Sequence, residues 1–190
     1  MDSREEILDI LKMRLIKSHS QRTIRKSEVI KGDARIFAKN AQEAGANVII
    51  VEEMEAAKNE IIKIISELKG DIVYSSEELI KGIDVAALAK EAKRTIIEAE
   101  PESIKTYKEK VMTSKIGITS CLFAIQETGS IVISHDKYNE SLISLAPENH
   151  ICLLKAEQIL VNQYMLASKL EEKTRLPSSY TIITGASYAN

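Results

Sequence analysis

The feature that most constrains this chain is the way short runs that are apolar on both faces alternate with longer amphipathic stretches. DIVYS (71–75), KIGITS (115–120), SIVISH (130–135), HICLLK (150–155) and YTIITG (180–185) are rich in β-branched residues, and none alternates cleanly between apolar and polar. A strand with two apolar faces must be covered on both, and helices between successive strands supply the cover. The pattern predicts an α/β fold, a largely parallel sheet covered by helices on both faces.

Local signals place the elements. Ser3 to Glu6 forms a capping box ahead of Ile7, Leu8, Leu11 and Leu15, so the chain opens with an amphipathic helix. Phe37, Ala41 and Ala44 share a second helical face that stops at Gly45, and NVIIVE (47–52) reads as a buried strand. Ile61, Ile64, Ile65 and Leu68 make the next helical stripe, ended by Gly70. Ser75 to Glu78 is a further capping box, Asp84 opens a helix through Ala92, and TIIEAE (95–100) is a strand followed by a helix from Pro101 to about Met112. Leu122 to Gln126 reads as a short helix, and Ala156 to Lys173 as a long one burying Leu160, Tyr164 and Ala167. The expected organisation is one domain over 1–190, with an N-terminal helical segment over about 1–45.

Composition narrows the function classes. A chain of 190 residues, 44% hydrophobic and 28% charged, can bury about 70% of its unfolded surface without a staple. The net charge of -2 and pI near 6.0 give no electrostatic case for nucleic acid or an anionic membrane. The local basic run Lys12, Arg14, Lys17, Arg22, Arg25, Lys26, Lys31 and Arg35 lacks interleaved aromatics and reads as a solvated face. Two cysteines, Cys121 and Cys152, are too few for an iron–sulfur cluster in this chain or for an all-cysteine zinc site. The N-terminus mixes acids and bases without an apolar core, so neither signal peptide nor membrane span is expected, and the cytoplasm is the expected location.

In parallel sheets, ligands bind beyond the carboxyl ends of the strands. Two loops qualify: Glu127-Thr128-Gly129, and Gly185-Ala186-Ser187 after the last strand, where glycine, amides and a hydroxyl could meet a small anion. Glu127 is the candidate catalytic residue, as acid, base or acyl-accepting nucleophile; the structural alternative is a tight turn completed by Gly129 and fixed by Thr128. His150 beside a buried strand is either a ligand contact or a hydrogen-bonded packing residue. His135 with Asp136 belongs to the crevice rim or to a solvated turn, and His19 to a polar loop. No histidine pair has metal-ligand spacing, so no metal is predicted. Cys121 reads as a buried apolar residue rather than a nucleophile. No G-x-G-x-x-G follows a strand, so a dinucleotide is not expected.

GITSCLFAIQETGSIVIS (117–134), SLISLAPENHICLL (141–154) and the terminal ITG (183–185) together resemble the lactate-utilisation (LUD) domain family, which shows Gly-Ile-Thr, Ala-Glu-Thr-Gly-Thr, Leu-Leu-Pro and His-Ile in that order. The resemblance covers about Gly117 to Gly185. It implies a fold related to phosphosugar isomerases and CoA transferases and a place in L-lactate oxidation, closest to the small subunit without iron–sulfur clusters, which works beside cluster-containing partners. Thr119, Thr128, Gly129, His150, Gly185 and Ser187 become candidate ligand-binding residues, and Glu127 resembles the thioester-forming glutamate of CoA transferases. The chain departs from the family at Gln126 (usually Ala), Ser130 (usually Thr), Ser141 (often Arg) and over Gly185–Ala189. The expected function is an accessory, small-ligand-binding component of 2-hydroxy-acid utilisation. The alternative is an acyl-CoA or phosphosugar-type enzyme using Glu127. Cofactor identity, catalysis by this chain alone and homo-oligomer formation stay open.

Overall fold

The computed structural model describes residues 31–97, 104–135, 140–172 and 179–185. The predicted N-terminal helix, most of the basic run, His19, Pro101, Asp136 and Ser187 lie outside them. The elements are α1 (Ala34–Glu43), α2 (Met54–Glu67), β1 (Ile72–Tyr74), α3 (Glu78–Ile83), α4 (Val85–Glu91), β2 (Ile96–Ile97), α5 (Ile104–Thr113), β3 (Ile116–Ser120), β4 (Phe123–Ile125), β5 (Ser130–His135), α6 (Glu140–Leu145), β6 (Asn149–Leu153), β7 (Ile159–Leu160), α7 (Gln163–Glu171) and β8 (Ser179–Ile183).

Caps fix several helix starts. Asp33 accepts the amides of Arg35 and Ile36 (2.7 and 3.1 Å) ahead of α1. Asp84, at φ 57°, accepts that of Ala87 (3.2 Å) ahead of α4, and Asn162 that of Met165 (3.2 Å) ahead of α7. Each satisfies a helix amide that has no partner within the helix.

The strands form two sheets. The first, ordered β2-β1-β3-β6, is parallel throughout, with Ile72 opposite Ile116 and Thr119 opposite Cys152. Ile72, Ile116 and Ile118 meet Ile61, Ile65, Ile80, Val85 and Leu88 from α2, α3 and α4 on one face. On the other, Val73 and Ile97 meet Tyr107 and Val111 of α5 and Ile143 of α6. The predicted two-sided cover is present, and each of these fully buried isoleucines contributes roughly 1.5–3 kcal/mol.

The second sheet, ordered β7-β4-β5-β8, is mixed: β4–β5 and β5–β8 are antiparallel, β4–β7 parallel. Phe37 and Ala41 of α1 pack on Ala124, Ile133 and Ile159, while Leu166 of α7 packs with Ile125, Val132 and Leu160 on the other side.

Three local expectations are corrected. Residues 122–126 form no helix; Phe123–Ile125 is strand β4, because the next run, Ser130–His135, folds back onto it. The long helix from Ala156 to Lys173 is interrupted: a 3-10 turn (Ala156–Gln158) leads into β7, which pairs with β4, and the helix begins only at Gln163. Leu160 is buried, but in a strand, and Tyr164 is 77% exposed. Residues 47–52 carry no strand, and Ile49, Ile50 and Val51 are exposed. Among the described residues no strand pairs with that run, and β-branched residues form strands only where a partner takes their backbone bonds.

Candidate functional site

The carboxyl ends of β1, β3 and β6 face an open cleft of about 500 Å³. Its apolar wall comes from Met54 at the start of α2 and Leu79 in α3; its polar groups are Glu78, Ser120, Lys155 and Gln158. The cleft is shaped by side chains that bridge strand exits. Glu77 accepts hydrogen bonds from the Ser75 hydroxyl (2.7 Å) and the Ser120 amide (2.6 Å), tying the exit of β1 to that of β3. Gln158 accepts the Lys155 amide (2.6 Å) and donates to the Cys121 carbonyl, tying the exit of β6 to the segment where β3 leaves the sheet. A fixed rim results, with one cation, one carboxylate and hydroxyl and amide groups beside an apolar wall.

The opposite face of β3 and β6 carries a file of polar and thiol groups. Ile118 packs toward α2–α4, so Thr119 points to the α6 side, where the Ile143 carbonyl fills the space a side chain on Gly117 would need. Thr119 is fully buried and hydrogen-bonds His150 Nε2 (2.9 Å). Burial pushes the His150 imidazole down to about 4, so the ring is neutral at pH 7 and one nitrogen is spent on the threonine. The Cys152 thiol is held well above its usual range, first by its hydrogen bond to Cys121, then by burial and by the charges of Cys121 and Glu77, against a smaller opposing effect of Thr119.

The glutamate turn lies in the other sheet. Residues 126–129 link β4 to β5 as a hairpin loop, and the Glu127 and Thr128 positions are exposed. The turn is clamped to α1: Gln126 accepts the Asp33 amide (2.6 Å), and Asn40 donates to the Gln126 carbonyl (2.7 Å). Gln126 therefore has a structural task. Gly129 and Gly185 both sit at φ +66°, and a Cβ on either would strike backbone, that of Ala41 within α1 for Gly129 and that of Ala44, the residue that caps α1, for Gly185. Hydroxyls join the two loops, Thr128 to Ser130 (2.5 Å) and Ser130 to Thr184 (2.7 Å).

The sequence candidates thus fall into two groups. Thr119 and His150 meet on the parallel sheet; Glu127, Thr128, Gly129 and Gly185 gather at one end of the mixed sheet; Ser187 lies outside the described residues. None of them lines the cleft at the strand exits. Glu77, Ser120, Lys155 and Gln158 were missed, although polar residues directly after buried runs, as in VYSSE and LLKAEQ, mark such exits. His135 shares a hydrogen bond with Thr181 (2.6 Å) inside the mixed sheet, and burial lowers its affinity for a proton. Among the described residues, no three His, Cys, Asp or Glu side chains converge as metal ligands, and no helix is long and apolar enough to cross a membrane.

Comparison with known proteins gives a consistent set of likenesses. A family model described as LUD domain matches residues 34–189. Lactate utilization protein B of Geobacillus thermodenitrificans (strain NG80-2) is 27% identical over 126 residues, which make up 63% of this chain and 26% of that protein. Its namesake in Lysinibacillus sphaericus (strain C3-41) is 30% identical over 106 residues, 50% of this chain and 22% of that protein. The chain spans about a quarter of the length of the curated relatives it matches. The crystal structure of a DUF162 family protein from Deinococcus radiodurans superposes with a TM-score of 0.55 at 22% identity, over 80% of this chain and 85% of that one, so the two share a fold.

Proposed function

This chain belongs to the LUD domain family, and from that premise we propose that it is an accessory, small-ligand-binding component of L-lactate utilisation. The name of the relatives, lactate utilization protein B, supports the process. The observation that carries the binding role is the cleft at the parallel strand exits. Lys155 offers a cation to a carboxylate, Glu78 can accept from a neighbouring hydroxyl, the second N–H of the Gln158 amide can donate to a hydroxyl or keto oxygen, and Met54 and Leu79 suit a short apolar end. A small 2-hydroxy or 2-keto acid has those three parts.

Electron transfer in such a system would fall to partner proteins carrying iron–sulfur clusters, since this chain's two cysteines cannot ligate one alone. The reading of Glu127 as a reactive carboxylate draws less support. Its residue is exposed, sits on a hairpin loop clamped to α1, and lies outside the cleft.

Thermal unfolding of the full chain against L-lactate, pyruvate, CoA and sugar phosphates tests the proposal. A 2-hydroxy or 2-keto acid at about 100 times its dissociation constant adds about 2.7 kcal/mol and raises the midpoint by roughly 5–10 °C. Lys155→Ala should remove that shift while leaving the ligand-free midpoint within about 2 °C. A shift with CoA alone, lost in Glu127→Gln, would overturn the proposal in favour of acyl transfer.

A further inference from the structure

Of the chain's seven glycines, all but one are accounted for by their surroundings. Gly45, Gly70, Gly129 and Gly185 hold a positive φ, and a Cβ on Gly32 or Gly117 would run into Ile159 or the Ile143 carbonyl. Gly82 has neither reason. It lies within α3 outside the positive-φ region, and a Cβ built on it meets nothing within 4 Å. The left-handed position that ends α3, where glycine is the usual residue, is filled by Asp84 instead. A glycine inside a helix lowers stability relative to alanine, so the fold alone gives no reason to keep this one.

What Gly82 does border is the cleft at the strand exits. Helix α3 has two sides. Ile80 and Ile83 pack into the core. Glu78 and Leu79, four and three residues before Gly82, share its side and line the cleft with it. At position 82 the cleft wall is therefore bare backbone, set beside the apolar side chains of Leu79 and Met54. The volume of about 500 Å³ also exceeds what a three-carbon acid fills, since pockets of about 300–1,000 Å³ bury ligands of drug size.

Resting on the reading of the cleft as an acid site, we propose that Gly82 determines its specificity, keeping room for 2-hydroxy and 2-keto acids whose apolar side chain is longer than the methyl group of lactate. With the carboxylate at Lys155 and the 2-oxygen beside Glu78 and Gln158, the wall left for the ligand's side chain is that of Met54, Leu79 and Gly82. Each methylene laid against that wall leaves water, a gain of about fourfold in affinity. A side chain at position 82 would fill the same space first. Gly82 thus selects among acids, while the carboxylate is held elsewhere in the cleft.

Isothermal titration calorimetry of the full chain with pyruvate, 2-oxobutanoate, 2-oxopentanoate and 2-oxohexanoate tests this. In the wild type the dissociation constant should fall about fourfold with each added carbon. Gly82→Leu, which puts a better helix former at an exposed position, should abolish that preference for the longer acids. Gly82→Ala adds a single methyl and should reduce the preference by about fourfold, which keeps the test decisive where the larger side chain impairs folding. Unfolding midpoints at or above that of the wild type separate loss of room from loss of fold. Equal constants for pyruvate and 2-oxohexanoate in the wild type, a preference that survives Gly82→Leu, or a loss of both acids in equal measure would overturn the proposal and leave the acid site standing. Binding of none of the four acids would overturn the acid site itself, and the role of Gly82 with it.

Discussion

Both sheets bury apolar side chains against helices, and they differ in how their loops meet the neighbouring helix. The parallel sheet is stabilised by what its side chains fill: all five residues of β3 are buried, and Ile72, Ile116 and Ile118 carry the contacts to the helices. The mixed sheet is joined to α1 by what two residues leave out, since Gly129 and Gly185 allow the hairpin loop and the end of β8 to lie against helix backbone. The first arrangement tolerates exchange of one apolar side chain for another of similar volume; the second tolerates no side chain at all. The glutamate turn, the most conspicuous motif in the sequence, belongs to the second kind.

The largest expected effect breaks the first arrangement. Ile118→Ala should cost about 4 kcal/mol, because the fully buried site is closed in by three helices and cannot collapse. A drop of roughly 8–16 °C in the unfolding midpoint would register it. Next comes the second arrangement. Gly129→Ala should cost about 3 kcal/mol, combining a left-handed backbone with a Cβ driven into Ala41; guanidinium unfolding should show a lower midpoint with an unchanged slope.

Acid probes the first sheet through His150. Its proton affinity is lowered on folding, so its contribution to stability is complete above about pH 6.5 and is lost as pH falls toward about 4. The loss should be on the order of 2 kcal/mol after allowing for partial exposure, and a His150→Gln protein should unfold with a flatter pH dependence over that window. The smallest effect has the opposite sign. Gly82 lies inside α3 with open space around its Cα, so Gly82→Ala should raise stability by about 0.5–1 kcal/mol. A penalty there instead would mean that the surroundings of Gly82 are less open than the geometry indicates.

Most of the longer strands of both sheets were legible in the sequence. Ile61 and Ile65 before Gly70, Asp84 as a cap, and the runs that became β1, β3, β5, β6 and β8 all carry local signatures, and the two-sided apolar character of the strands reports their burial directly. The division into two sheets was not legible, because it depends on pairings distant in sequence. Nothing local distinguishes Phe123–Ile125 from a helical turn, and Ile159–Leu160 is a strand only because β4 lies beside it. The run at 47–52 taught the converse, since a strong strand propensity without a partner leaves Ile49 and Ile50 exposed. At the candidate site, Thr119 and His150 could be selected one by one but not as a bonded pair, since register sets that contact. Glu77 escaped because its role depends on an amide forty-three positions away.

The position of β6 has a consequence for how the protein is made. Strands β4 and β5 of the mixed sheet are synthesised between β3 and the strand that covers it, so the flank of β3 stays open until residues 149–153 have emerged. During that interval a chain leaving the ribosome presents an apolar, hydrogen-bond-hungry edge to its neighbours. An unpaired edge of that kind makes the emerging chain more prone to aggregate than the finished fold.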